Sequence, residues 1–215
     1  MVLVHDHRNL GGSTGTPRGD VNPWQQIADW RRAISYLESL DDVDGSRIGI
    51  WGTSYAGGHA IVLGATDRRL SAVVAQVPVV DGAATGQRRV SPDARVALEQ
   101  EFDADERDPH AVATYLAPLP DGVEFENRAT LRSMRWTRMY RPGQWIDQVS
   151  PTPLRLIVAR GDTTSGTDLQ LRAYEDALQP KRLVLLDGDH FDPYVKERAT
   201  ALGAAVEWFA EHLKP

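Results

Sequence analysis

The stretch Arg47-Ile48-Gly49-Ile50-Trp51-Gly52-Thr53-Ser54-Tyr55-Ala56-Gly57-Gly58 decides the fold. Its first five residues are a short apolar run with two β-branched side chains, which predicts a buried strand. The small apolar residues from Ala56 to Leu63 predict a helix. A serine between small residues at a strand-to-helix turn is how a nucleophile is held exposed on a sharp elbow. Gly52 lets the two backbones pass closely. The turn also aims the first amides of the helix at the serine, where an oxyanion would form. Ala56 stands where such elbows usually have a second glycine, and alanine is the smallest replacement available. The plainer reading is a Gly/Ser turn that only begins a helix.

The rest of the chain alternates strands with helices. Val2-Leu3-Val4 reads as a short buried strand, followed by a glycine-rich loop from Asp6 to Gly15. Asn22 is the N-cap of a helix with Pro23 at its first position. Ile27, Trp30, Ile34 and Leu37 then mark one apolar face through Leu40. Ser71 to Val77, Leu154 to Ala159 and Leu183 to Leu186 are further strands. Thr167 with Gln170 three residues on reads as a capping box opening a helix to about Leu178. Val195, Ala199, Leu202, Val206, Phe209 and Leu213 form an amphipathic stripe on a last helix. The segment from about 81 to 150 is rich in charge, lacks long strands and carries Tyr115, Trp136, Tyr140 and Trp145. It reads as an inserted helical cap. This order implies an α/β class: one domain, 1–215, with a mostly parallel sheet flanked by helices and the cap at about 81–150.

In a parallel sheet the reactive groups lie at the carboxyl ends of the strands. Asp162 lies just past the strand ending at Ala159, and His190 just past the one ending at Leu186. The order Ser54, Asp162, His190 is the one expected of an elbow serine in an α/β sheet. His190 would take the Ser54 proton and return one to the leaving group. Asp162 would orient the imidazole, and the Tyr55 amide would donate to the oxyanion. His5 and His7 lie in a loop before the elbow, and His59 falls on the helix after it. Asp168 belongs to the first turn of a helix, and Asp187, Asp189 and Asp192 are too near His190 in sequence to reach around its ring. No histidine pair has metal-ligand spacing, so neither a metal nor a cofactor is expected.

Composition narrows the class. The 215 residues carry a net charge of −6 and no cysteine. That excludes disulfides and thiolate chemistry and argues against a nucleic-acid or anionic-membrane binder. The N-terminus lacks the basic region and apolar core of a signal peptide, so a soluble, cytoplasmic protein is expected.

These residues resemble the α/β-hydrolase superfamily, with the closest look to dienelactone-hydrolase-like serine esterases and related bacterial hydrolases. The resemblance is carried by Asp6–Gly15, Trp51–Gly58, Gly161-Asp162 and Gly188-Asp189-His190. It implies a serine hydrolase acting on a small ester or thioester through an acyl-enzyme. Some similar proteins are acyl or polyketide transferases, so transfer is an alternative outcome. Dienelactone hydrolases proper use a cysteine, so their particular reaction is not expected of Ser54. Trp136, Tyr140 and Trp145 are candidates for the acyl pocket, unless they only anchor the cap. The family's fold has three further strands before the Asp6 loop, one of them beside Arg47–Trp51 and followed by a loop that supplies a second oxyanion donor. Three arrangements follow: a truncated form, direct pairing of Val2–Val4 with Arg47–Trp51, or a second subunit in the gap, which would give a homodimer. A remnant kept for binding or assembly is the non-enzymatic alternative.

Overall fold

The computed structural model describes residues 1–105, 112–114 and 128–214. The Asn22 side chain accepts hydrogen bonds from the amides of Trp24 and Gln25, and Pro23 opens helix α1 (Pro23–Glu38), as the sequence predicts. Strand β1 (Ile48–Thr53) runs into helix α2 (Tyr55–Thr66), and β2 (Leu70–Gln76) follows. Helices α3 (Gly82–Arg89) and α4 (Pro92–Asp105) begin the charged segment. A short antiparallel pair, β3 (Val112–Thr114) and β4 (Arg128–Thr130), and helix α5 (Leu131–Met139) continue it. A 3-10 helix, Pro142–Val149, leads to β5 (Leu154–Ala159), α6 (Thr167–Asp176), β6 (Lys181–Leu186) and α7 (Arg198–His212). Tyr115 and His110 lie outside the described residues.

The main sheet has the order β1-β2-β5-β6 and every pair is parallel. Register sets Thr53 opposite Gln76 and Ala159 opposite Leu186, so the carboxyl ends of all four strands open on one side. One face of the sheet packs on α1, α2 and α6 through Ile27, Ile61, Leu63, Val73, Leu156 and their neighbours. α2 is buried almost throughout because the 3-10 helix Pro142–Val149 covers its other side with Ile146 and Val149. Small residues make that possible: a Cβ on Gly64 would stand 2.7 Å from Val73 Cγ2. The end of the 81–150 segment therefore belongs to the main core.

Two sequence expectations change. Val2–Val4 is not a strand: Val2 is 88% and Val4 81% exposed, and among the described residues no strand pairs with the outer edge of β1. Isolated apolar residues cannot hold an extended ladder without a neighbouring strand to bond, so direct pairing with β1 is ruled out. The stripe on the last helix holds only in part. Val195 and Val206 are exposed, Phe209 and Leu213 pack against the sheet, and α7 buries Ala201, Ala205 and Trp208 against Ala72, Val74, Ile157 and Leu186. The alanines bring the helix close enough for the buried Arg155 guanidinium to donate to Glu207 Oε2 at 2.7 Å and to lie 4.8 Å from the Trp208 ring. Among the described residues no helix is long and apolar enough to cross a membrane.

A buried histidine sets the acid response. His59 Nε2–H donates to Gln26 Oε1 at 2.9 Å, and Nδ1 accepts from Tyr140 Oη at 2.8 Å. Burial, and then the nearby His7, lowers its pKa from 6.5 to about 3. Burial and His5 likewise lower His7 to about 4. Between these values and 6.5 the unfolded chain binds more protons than the folded one, so stability falls as pH falls through that window. Urea midpoints measured from pH 7 to pH 4 are expected to decline, and His59→Gln, neutral at every pH, is expected to flatten part of that decline.

Candidate active site

Ser54 sits between β1 and α2 at φ 54°, ψ −118°, a conformation that non-glycine residues rarely adopt. Three backbone hydrogen bonds hold it. Its amide donates to the Gln76 carbonyl at 2.8 Å, and its own carbonyl accepts from Gly57 at 3.0 Å and Val79 at 2.9 Å. Gly52 is required for the turn, because a Cβ there would lie 1.9 Å from the Ala56 carbonyl oxygen. Ala56 closes the elbow without a second glycine. Tyr55 follows as the first residue of α2, so its amide lies in the opening turn beside Ser54.

The Ser54 hydroxyl is 2.9 Å from His190 Nε2, and His190 Nδ1 is 3.0 Å from Asp162 Oδ2. An ionised carboxylate only accepts, so Nδ1 carries the proton and Nε2 offers its lone pair to the serine hydroxyl. The three residues that the sequence places on three strand ends are thus joined by one line of hydrogen bonds. His190 and Asp162 are buried, and Ser54 is half-buried.

Four donors fill the Asp162 carboxylate. The Thr164 and Ser165 amides each donate to Oδ1 at 2.8 Å; Gln170 Nε2 at 2.8 Å shares Oδ2 with His190. Burial opposes ionisation, but the hydrogen bonds from His190, the Ser165 amide and Gln170, with the charge of His190, outweigh it and keep the carboxyl below its ordinary range. Gln170 is wholly buried and its Oε1 has no partner among the described residues. Burying such an oxygen costs about 1–3 kcal/mol. This overturns the capping-box expectation: α6 has Gly166 as N-cap with no side-chain cap, Thr167 Oγ1 donates to the Ala159 carbonyl at 2.7 Å, and Gln170 serves Asp162.

The His190 loop is shaped by the acids that were set aside as triad partners. Asp192 Oδ2 accepts from the Asp189 amide at 2.7 Å and Asp189 Oδ1 from the Phe191 amide at 2.8 Å. Gly161 donates to the Gly188 carbonyl at 2.8 Å, tying the Asp162 and His190 loops together. Sequence reasoning also missed Tyr194, whose hydroxyl lies 2.6 Å from Thr53 Oγ1, itself an acceptor from Gln76 Nε2 at 3.2 Å. No local spacing signals that contact, because it joins three separate elements.

The aromatic candidates divide. Tyr140 is fully buried and its hydroxyl is engaged by His59, so it belongs to the core and not to a pocket wall. Trp145 packs against the same core from the 3-10 helix. Trp136 is half-buried on α5, one residue before Thr137, whose Oγ1 lies 3.4 Å from the Tyr55 hydroxyl. A cavity of about 830 Å³ opens beside the glycine-rich loop and is lined by none of Ser54, Asp162 and His190. A smaller one of about 310 Å³ is lined by Trp51, Thr53 and Tyr194.

One substitution tests the elbow, and a second, in α7, is its control. Gly52→Ala is expected to cost more than about 3 kcal/mol in urea unfolding, because the new methyl meets backbone. Gly203→Ala, which meets nothing within 4 Å, is expected to stabilise α7 by about 1 kcal/mol.

Comparison with known proteins identifies the family. Residues 1–153 match the family described as X-Pro dipeptidyl-peptidase (S15 family), a span that contains Ser54 and ends before Asp162 and His190. The chain is 30% identical over 225 residues to the quorum-quenching protein AidA of Acinetobacter baumannii, covering 91% of this chain and 71% of the relative. It is 27% identical over 219 residues to the thiohydrolase aneE of Aspergillus aculeatus, covering 85% of this chain and 66% of that one. The solved α/β hydrolase GrgF from Penicillium sp. superposes with a TM-score of 0.80 at 23% identity, over 97% of this chain and 78% of that one. With its parallel sheet and these matches, the chain belongs to the S15 peptidase family of α/β hydrolases.

Proposed function

We propose that the chain is a serine hydrolase that cleaves a small ester or thioester through an acyl-enzyme. The observation that carries this reading is the unbroken line Ser54 Oγ–His190 Nε2, His190 Nδ1–Asp162 Oδ2, at 2.9 and 3.0 Å. Ser54 Oγ attacks the acyl carbon as its proton passes to His190 Nε2. The carbonyl oxygen becomes an oxyanion, to which the Tyr55 amide donates. Collapse breaks the bond to the alcohol or thiol, which leaves with the proton from His190. Water then attacks the acyl-enzyme, giving its proton to His190, and the Ser54 Oγ–acyl bond breaks as His190 returns that proton to Oγ, releasing the acid product. Asp162 holds the ring in the tautomer this requires and stabilises the imidazolium. The thiohydrolase relative supports a thioester among the substrates. Helix α5, brought over the elbow by Thr137 and Tyr55, supports Trp136 as a wall of the acyl pocket.

The test is labelling with a fluorophosphonate, read by intact mass, followed by turnover of short-chain aryl esters and acyl thioesters. One adduct is expected on the native chain and none on Ser54→Ala. Turnover is expected to fall about 10⁶-fold in Ser54→Ala or His190→Ala, and about 10⁴-fold in Asp162→Asn, which presents the wrong hydrogen-bonding partner to the ring. A folded native chain that takes no label overturns the hydrolase reading.

A further inference from the structure

We propose that Gln170 is a positioning residue for the Ser54–His190–Asp162 line, fixing the Asp162 carboxylate and tempering its pull on the imidazole. The inference rests on the hydrolase reading above. Gln170 projects from the first turn of α6 to the carboxylate oxygen that His190 uses, with Nε2 at 2.8 Å and His190 Nδ1 at 3.0 Å from Oδ2. The orientation of its amide is determined by charge, since the opposite one would set two oxygens against each other. The two amide donors on Oδ1 and the two side-chain donors on Oδ2 leave the carboxylate no other rotamer with equal bonding.

Packing alone would not select this residue. Gln170 is fully buried, and its Oε1 lacks a partner among the described residues. Met or Leu would fill the space without burying an unpartnered Oε1, though at the loss of one donor on Asp162 Oδ2. A residue that is unfavourable for packing and bonded to the orienting acid has a role in the site. Two donors on one oxygen also divide its accepting capacity. With Gln170 gone, Oδ2 turns wholly to His190 and the Nδ1–H bond strengthens, which moves the acid limb of the pH profile upward. The carboxylate, released on one side, also holds the ring less firmly toward Ser54, which lowers kcat.

The experiment compares the native chain with Gln170→Met and Gln170→Leu. Both variants are expected to fold and to melt within a few degrees of the native chain, the lost Asp162 donor set against the relief of the unpartnered Oε1. Their kcat is expected to fall about tenfold with KM within twofold, as for outer-shell partners of other catalytic groups. The acid limb of kcat/KM is expected to move up by about half a pH unit. In the proton NMR spectrum, the downfield His190 Nδ1–H resonance is expected to move further downfield, a readout that needs no turnover. An inactive native chain sinks the hydrolase reading and leaves this resonance to judge Gln170. A folded variant with native kcat, or with an unmoved resonance, overturns the proposal. So does failure of both variants to fold, which would make Gln170 a structural residue only.

Discussion

The backbone of Ser54 is the constraint on which the rest of the structure depends. A non-glycine residue at φ 54° costs about 1–3 kcal/mol and persists only where its surroundings over-determine it. Here they do. The parallel register of β1 and β2 delivers the Gln76 carbonyl to the Ser54 amide, and the chain beyond β2 returns Val79 to the Ser54 carbonyl. The same turn sets the direction of α2. That helix is buried on nearly every side, so its direction in turn fixes where the 3-10 helix Pro142–Val149 and α1 can pack. Elbow and core are one piece of architecture: strain at Ser54 is offset by burial along α2.

Much of the site was legible because its signals are local. The elbow, the Asn22-Pro23 helix start and the positions of Asp162 and His190 just past apolar runs each need only a few adjacent residues. The failures come from contacts outside the local window that a spacing motif reads. Val2–Val4 has the composition of a strand, but a strand is made by its neighbour, and composition does not supply one. The stripe on α7 followed hydropathy and found Phe209 and Leu213, but the helix also docks through Ala201 and Ala205, which score low because they are small. Thr167 and Gln170 have capping-box spacing, yet their side chains find better partners in the Ala159 carbonyl and the Asp162 carboxylate. Tyr140 looked like a pocket aromatic because its sequence neighbours are charged. Its partner is His59, eighty-one positions away.

Two buried histidines flank the elbow, and the contrast between them shows what selects a base. His59 stands one turn into α2, five positions after Ser54, its ring 5.1 Å from that of Tyr55. Its partners are neutral: a phenol on one nitrogen and a carboxamide oxygen on the other. With no carboxylate to favour its charged form, burial pushes its pKa to about 3, and it remains a neutral packing residue. His190 is also buried, but it meets Asp162 on one side and the serine hydroxyl on the other. A base must gain a proton in the transition state and hold it long enough to pass it on. Burial makes that costly, and an ionised, fully bonded carboxylate offsets the cost. Under the proposed mechanism, proximity to Ser54 therefore does not make a histidine the base. The carboxylate behind His190 does, and the donors on Asp162 keep that carboxylate in place.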